Sequence, residues 1–270
     1  MEVLCSTGAL IGRPNGRNPK LLEGLTKQLE SDGLEFMMFS TWYEEVDEIT
    51  EYLVSLGLYI PVYHCQKSVG EDVTKGDFAE ANRRMEINAK QAEAIGARKM
   101  VFHLWNGEIS DHNFDNNLKA YGDLRKIVAD HGVDLLVENV VCSKDDPLLH
   151  WKQIADRYDD PHFIFDTKMA GFHEQIDAFC EGEYAWAWKD GLVRHYHIND
   201  YAGGYKDWTA LRTLPIGAGH LDFAKFLAFV KSTGYDGTFT LESTAFDKTG
   251  VVDTDMLNRQ VKYIRDQWSR

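Results

Sequence analysis

Eight short apolar segments, separated by longer segments with helical spacing of apolar residues, run along the whole 270-residue chain. This alternation is typical of repeated strand and helix units that build parallel sheets. Several segments are apolar almost throughout, as expected for strands covered on both faces. The predicted strands span residues 3–6, 34–39, 59–64, 99–103, 135–139, 163–166, 194–199 and 238–242.

Six of the connecting segments carry helix signals, such as an Asn, Asp or Pro at the start or a Gly at the end. They predict helices over about residues 19–31, 77–94, 115–131, 222–234 and 254–268, and one that begins at Pro147. Eight strands without a flexible linker predict a single (β/α)8 TIM barrel as one domain over residues 1–270. A doubly wound open sheet is the alternative, but it normally has fewer strands and a glycine-rich first turn.

The charge balance argues against some classes of partner. The chain has 29 Lys and Arg against 43 Asp and Glu, a net charge of −14, which repels phosphate backbones and anionic membranes. We therefore expect no nucleic-acid or membrane partner. The chain has no basic start followed by an apolar segment, and no run of about 18 apolar residues, so we expect a cytoplasmic protein.

The cysteines are widely spaced and form no C-x-x-C motif, so we expect buried free thiols. They are Cys5, Cys65, Cys142 and Cys180. Three connections are predicted to be long loops: residues 66–76, the stretch after Trp105 to about residue 113, and residues 201–220. In a barrel, loops that follow strands lie at the C-terminal rim, where sites are built.

Polar residues stand at or near the C-terminal ends of six predicted strands: His64, His103, Glu138, Asp166, His197 and Glu242. In a barrel these ends converge on one mouth. The last four place three carboxylates and one imidazole in a small space, where they would repel each other without a cation. We therefore predict one divalent metal ion, Mn, Mg, Co or Zn, bound by those four residues. Asn139 and Asn199 are candidate hydrogen-bond partners of the ligands.

Each of these residues also has a purely structural interpretation. An acidic residue that ends a strand is commonly the N-cap of the next helix, and a histidine there is commonly a core or rim residue. If the carboxylates only cap helices, the alternative is a non-catalytic binding barrel. Four capping residues in one ring are harder to explain than one.

Five motifs give the sequence a resemblance to a known family: LLVEN at 135–139, FIFDT at 163–167, HYHIND at 195–200, GAGHLDF at 217–223 and TLES at 240–243. Together they resemble the xylose isomerase-like TIM barrels, which group sugar and sugar-phosphate isomerases and epimerases with abasic-site nucleases of the endonuclease IV type. The resemblance covers nearly the whole chain. It implies that Glu138, Asp166, His197 and Glu242 hold one divalent metal and that the two glutamates exchange protons.

The implied activity is isomerisation or epimerisation of a small sugar, keto-sugar or sugar phosphate, by proton transfer through a metal-stabilised enediolate. The same enediolate can expel a leaving group, so a lyase or dehydratase acting on a keto-sugar or inosose-like polyol is the alternative. Predicted substrate-binding residues are His64, His103, Trp105 and Lys168. Further rim aromatics are Trp42, Tyr201, Tyr205 and Trp208. If these side chains are exposed at the surface, they favour a homo-oligomer.

The sequence also departs from the family pattern. Met169 stands where epimerases and nucleases of this family usually carry a His, three residues after Asp166. Residues 207–214 lack the Asp-x-His of the nucleases. Together with the net charge, these departures disfavour the nuclease alternative.

Overall fold

The eight strands form a closed parallel barrel in chain order. The computed structural model describes residues 1–107 and 110–270. The strands are β1 (Glu2–Ser6), β2 (Gly33–Met37), β3 (Val62–His64), β4 (Lys99–Phe102), β5 (Asp134–Glu138), β6 (His162–Asp166), β7 (Val193–Ile198) and β8 (Thr238–Leu241). Each overlaps one predicted segment, so the predicted (β/α)8 barrel is confirmed and the open sheet is excluded.

β1 closes the barrel because it pairs with β2 on one side and with β8 on the other. Leu4 lies opposite Gly33 on β2 and opposite Thr240 on β8, both in parallel register. On β4, Met100 and Val101 are fully buried although their side chains point to opposite faces. Burial of both faces explains why the strands read as continuous apolar segments.

The described part of the chain contains twelve α-helices. They are α1 (Thr7–Leu10), α2 (Leu22–Leu25), α3 (Val46–Leu56), α4 (Ser68–Lys75), α5 (Phe78–Ala94), α6 (Phe114–Asp130), α7 (Pro147–Ala155), α8 (Thr167–Phe172), α9 (Ile176–Glu181), α10 (Ala185–Lys189), α11 (Phe223–Ser232) and α12 (Thr254–Ser269). Five predicted helices are confirmed as α5, α6, α7, α11 and α12. Among the described helices, none combines the length and the apolar composition that a membrane span requires.

The first predicted helix is wrong as a continuous α-helix. Asn18 does cap its start, accepting a hydrogen bond from Lys20 N, but the chain then forms two 3-10 turns, Pro19–Leu21 and Thr26–Gln28, on either side of α2. The Thr26 hydroxyl donates to Leu22 O over 2.8 Å. Such local hydrogen bonds, with a glycine inside α2, weaken a regular helix.

The prediction of a loop over residues 66–76 is also wrong, because most of that segment is α4. Val69 and Val73 lie one turn apart and are buried, and Gly76 ends the helix with a positive φ of 82°. The loop over residues 201–220 is confirmed as irregular apart from a 3-10 turn at Trp208–Ala210 and an isolated β-bridge between Leu214 and Asp200. The third predicted loop includes residues 108–109, which lie outside the described residues.

The chain divides into two compact units. The first unit comprises residues 1–35, 166–191 and 195–270, and the second comprises residues 36–165 and 192–194. In the first, Tyr196 stacks on Phe239 with 5.5 Å between ring centroids. In the second, Trp151 stacks on Phe163 at 4.5 Å. The assignment of residues 1–270 to a single domain stays a prediction.

All four cysteines are free thiols, in agreement with the sequence. Cys5, Cys65 and Cys142 are buried, whereas Cys180 is half-buried. Burial raises the pKa of Cys5 to about 12, and the charge of Glu35 adds to the effect. A thiol that stays protonated at neutral pH is a poor nucleophile, so Cys5 is a packing residue.

Candidate metal centre

Three of the four predicted metal ligands lie together in the first unit. Asp166 ends β6, His197 is the penultimate residue of β7, and Glu242 follows β8. His197 Nδ1 lies 3.3 Å from Glu242 Oε2 and 3.8 Å from Asp166 Oδ2. Asp166 and His197 are fully buried, and the Glu242 side chain is only 10% exposed. The strand ends therefore bring one imidazole nitrogen against two carboxylates in a buried space.

Asp166 uses its two carboxylate oxygens differently. Oδ1 accepts hydrogen bonds from the backbone N–H groups of Lys168 and Met169, over 2.6 and 3.0 Å, and so caps α8. Oδ2 faces His197 Nδ1. The helix-cap interpretation is therefore correct for one oxygen of Asp166. It does not exclude a ligand role, because the second oxygen points into the cluster.

Asn199 joins the two carboxylates, as the sequence predicted. Its Nδ2 donates to Asp166 Oδ2 over 3.0 Å and to Glu242 Oε2 over 2.9 Å. The backbone of Asn199 is held in turn by Thr167, whose hydroxyl donates to Asn199 O over 2.7 Å. The corresponding role of Asn139 stays a prediction; that residue is fully buried.

A second layer of polar residues beside His197 was missed by the sequence analysis. Glu35 on β2 places Oε2 3.0 Å from Nε2 of both His195 and His197, and His195 Nδ1 lies 2.6 Å from Thr238 Oγ1. Burial raises the pKa of Glu35, but the attraction of His197 and the hydrogen bonds from both histidines outweigh burial and hold that pKa below its ordinary value. A carboxylate inside an otherwise apolar strand was the available signal.

In the second unit, the predicted residues His64, His103 and Glu138 form another group. Glu138 Oε2 lies 2.7 Å from His103 Nε2 and 3.7 Å from His64 Nε2. The two imidazoles meet edge to face, with 5.0 Å between ring centroids. Glu138 ends β5 and is 1% exposed. All three residues thus contribute polar atoms to one cluster at the ends of β3, β4 and β5.

The two other predicted substrate-binding residues have different surroundings. Lys168 is buried, and its Nζ lies 3.9 Å from Asp166 Oδ2. Trp105 is fully buried, donates its indole N–H to Val140 O over 2.7 Å and packs edge to face against His150. These contacts fix the position of the Trp105 ring, and its predicted substrate contact stays a prediction.

The other predicted rim aromatics also divide into buried and exposed residues. Trp42 and Tyr201 are buried, whereas Tyr205 is 59% exposed. Burial of Trp42, Trp105 and Tyr201 removes most of the exposed aromatic surface on which the expectation of a homo-oligomer depended. The oligomeric state stays a prediction.

Asp200 holds the long loop that follows β7. Its Oδ2 accepts hydrogen bonds from the N–H groups of Gly217 and Gly219 over 2.8 and 2.9 Å. Its Oδ1 accepts from Tyr201 and Leu221 over 2.8 and 3.1 Å. The glycine-rich turn therefore directs its N–H groups at an internal carboxylate, which a phosphate would have to displace.

The donor atoms around His197 fit a divalent cation. Two carboxylate oxygens and one imidazole nitrogen are ligands that Mn²⁺, Co²⁺ and Zn²⁺ accept. Metal-binding histidines usually donate their other N–H to a carboxylate or carbonyl, and His197 makes that contact with Glu35. The residues of the first unit thus have both the ligands and the supporting hydrogen bond of a metal site.

A model of the xylose isomerase-like TIM barrel family matches residues 25–266. The chain belongs to this family. Membership confirms the resemblance read from the strand-end motifs, which lie within the matched range. In this member of the xylose isomerase-like family, Met169 occupies the first turn of α8 and its backbone N–H bonds to Asp166.

Several solved structures share the barrel at low sequence identity. A D-allulose 3-epimerase from Methylomonas sp., in complex with D-allulose, is 17% identical with a TM-score of 0.69, over 99% of this chain and 97% of that one. The IolI protein with a bound zinc atom is 14% identical with a TM-score of 0.72, over 100% and 98%.

A third similar structure is a 3-keto-D-glucoside 4-epimerase from E. coli, 15% identical with a TM-score of 0.64 over 98% of this chain and 99% of that one. At these identities the likeness shows the fold alone. No curated protein matches the sequence significantly.

Proposed function

We propose that the protein is a divalent-metal-dependent isomerase or epimerase of a small sugar, keto-sugar or sugar phosphate. The observation that carries the proposal is the position of His197 Nδ1, which faces the carboxylates of Asp166 and Glu242 at 3.8 and 3.3 Å. Family membership and the sugar epimerases among the similar structures support the same class.

Glu138 is the proposed fourth ligand. It ends β5, and β5 to β8 are consecutive strands of the closed barrel. The family resemblance implies that Glu138 acts as a ligand together with Asp166, His197 and Glu242, and the buried carboxylate of Glu138 supports that role. Bound there, a divalent cation supplies Lewis-acid stabilisation of negative charge that develops on substrate oxygens.

The two glutamates carry the proposed proton transfers. One carboxylate removes the proton from a carbon beside the substrate carbonyl, and the other returns a proton. Return to the opposite face of the same carbon inverts its configuration, which is epimerisation. Return to the neighbouring carbon interconverts aldose and ketose. Asn199 holds Glu242 through a 2.9 Å hydrogen bond and so limits its movement during the transfer.

His64, His103, Trp105 and Lys168 are the proposed substrate contacts. The two imidazoles lie beside Glu138 and suit hydrogen bonds to sugar hydroxyl groups. The buried ammonium of Lys168 beside Asp166 suits an anionic or strongly polar substrate group. We propose a small-molecule substrate and a cytoplasmic enzyme, with no nucleic-acid or membrane partner.

The test combines metal analysis with isotope exchange. We expect purified protein loaded with Mn²⁺, Co²⁺ or Zn²⁺ to retain about one ion per chain and to lose it in Glu242→Ala. Incubation with a panel of ketoses in D2O should place deuterium on a carbon next to the carbonyl. Failure to retain any ion would overturn the metal centre.

The products separate the alternatives. Loss of water or another leaving group from a keto-sugar or inosose-like polyol would identify a lyase or dehydratase. Nicking of abasic duplex DNA would identify a nuclease. Sugar binding without deuterium incorporation would identify a non-catalytic barrel.

A further inference from the structure

β2 and β7 bring one carboxylate and two imidazoles into contact inside the first unit. His195 and His197 are two residues apart on β7, so their side chains point to the same face of the strand. The Nε2 atom of each imidazole lies 3.0 Å from Glu35 Oε2. All three residues are fully buried, and Glu35 Oε1 has no hydrogen-bond partner among the described residues. The two imidazoles are therefore the groups that satisfy this carboxylate.

The contact with Glu35 determines which nitrogen of His197 carries a proton. An ionised carboxylate only accepts hydrogen bonds, so Nε2 must be protonated to donate to it. In a neutral His197 the lone pair is then on Nδ1, the atom that faces Glu242 and Asp166. A carboxylate bonded to one imidazole nitrogen also increases the basicity of the other. Both effects make Nδ1 a better metal ligand.

We propose that Glu35 is a positioning residue of the metal centre, which holds the His197 ring so that Nδ1 faces the cation. The inference rests on the proposed function, because it concerns the same centre. His195 provides an internal comparison. It bonds to the same oxygen of Glu35, but its Nδ1 lies 2.6 Å from Thr238 Oγ1, so it anchors Glu35 on the side of β8.

The experiment compares wild type with Glu35→Gln, Glu35→Asp and His195→Gln. Dissociation constants for Zn²⁺ and Mn²⁺ are measured by competition with a chelator. We expect Glu35→Gln to weaken both about 10- to 100-fold, the usual effect of removing such a partner. Glu35→Asp keeps the charge and should recover part of the affinity. His195→Gln should have a much smaller effect because His197 keeps its carboxylate.

A second measurement follows His197 itself by ¹⁵N-histidine NMR of the metal-free protein. Wild type should show a slowly exchanging Nε2–H resonance, identified by its absence in His197→Gln. That resonance should shift or broaden in Glu35→Gln. This readout responds to the hydrogen bond, whereas a general loss of packing would disturb the other histidines equally.

The outcomes distinguish this inference from the proposed function. If wild type binds metal no more tightly than the folded Glu35→Gln variant, the positioning role is overturned. An unprotonated Nε2 on wild-type His197 overturns it too, and that result needs no variant to fold. If wild type binds neither Zn²⁺ nor Mn²⁺, the proposed metal centre itself fails, and the positioning role fails with it.

Discussion

Asn199 donates a hydrogen bond to Glu242 over 2.9 Å from the same amide nitrogen that lies 3.0 Å from Asp166. The neutral amide holds two carboxylates near His197, where burial strengthens their mutual repulsion. It stabilises their charged form without adding charge of its own. The two hydrogen bonds thus hold one carboxylate oxygen of Asp166 and one of Glu242 in position to bind a cation.

Replacing Asn199 should therefore weaken metal binding. Asn199→Leu keeps a similar size but removes both hydrogen bonds, so we expect the affinity for Mn²⁺ or Zn²⁺ to fall about 10- to 100-fold. Isothermal titration calorimetry on the folded variant measures the change. Asn258→Leu is the matched control, because Asn258 on α12 also donates from its amide, to Gln28 O over 2.8 Å. Equal affinities in both variants would contradict the role of Asn199.

Glu138→Gln and Glu242→Gln should separate the two proton transfers. Each change keeps the shape of the side chain but removes the base, so we expect epimerisation to fall about 10²- to 10⁴-fold at saturating metal. If the two carboxylates serve opposite faces of the substrate, each variant should still exchange deuterium into one epimer and fail with the other. NMR of each epimer in D2O measures this.

The control for these variants is Glu23→Gln, because Glu23 is exposed on α2 and its side chain is 60% accessible. It should leave both exchange reactions unchanged. Undiminished epimerisation in Glu138→Gln and in Glu242→Gln would show that neither carboxylate transfers the proton.

The barrel itself was predictable because strands covered on both faces consist largely of apolar residues. β4 and β5 read that way in the sequence and are buried accordingly. The short helices were less predictable. α4 contains Ser68 and Gly70, which suggest a loop, yet Gly70 is required there: a β-carbon at this position would collide with the His103 carbonyl. That requirement depends on packing, which local sequence does not encode.

The residues of the candidate metal centre could be picked out from the sequence for a related reason. A carboxylate such as Asp166 or Glu242 at the end of an apolar strand stands out by position alone. Glu35 was not recognised, because its meaning depends on β7 placing His195 and His197 against it. Contacts between strands distant in sequence follow from barrel closure rather than from spacing.

Gly219→Ala should disturb the loop that Asp200 holds. A β-carbon on Gly219 would collide with the Tyr201 carbonyl and with Asp200 Oδ1, so the turn must move and its N–H must leave the carboxylate. We expect the free energy of unfolding to fall by about 1–3 kcal/mol, as in other overpacked sites. Urea titration measures it.

The same loop provides the control. Gly204 has open space around its position and no positive φ, so Gly204→Ala should change stability by less than about 0.5 kcal/mol. Trypsin should cleave after Lys206 or Arg212 faster in Gly219→Ala than in Gly204→Ala, since the loop is no longer held. Equal stability and equal cleavage of the two variants would contradict the role of Asp200 in holding this loop.

His131 should give the protein a pH-dependent contribution to stability. It follows α6, and its Nδ1 lies 2.7 Å from Glu93 Oε2 while its Nε2 lies 3.2 Å from Glu86 Oε1, both on α5. The hydrogen bond with Glu93 raises the pKa of His131 above its ordinary value of 6.5; burial opposes the rise and Glu86 adds to it. A raised pKa means that the folded protein holds this proton more tightly than the unfolded chain does.

Protonated His131 therefore contributes its full stabilisation below the ordinary pKa of histidine. This stabilisation is lost as the pH rises through the raised pKa of His131. We expect His131→Gln to lower the free energy of unfolding by about 0.5–1 kcal/mol at mildly acidic pH, the range of partly exposed ion pairs, and by much less in alkaline buffer. Urea titrations of both proteins across that range measure the difference. In a Glu93→Gln background the effect of His131→Gln should shrink at acidic pH, because the main partner is gone. A difference that stays constant with pH would mean that His131 acts through packing rather than charge.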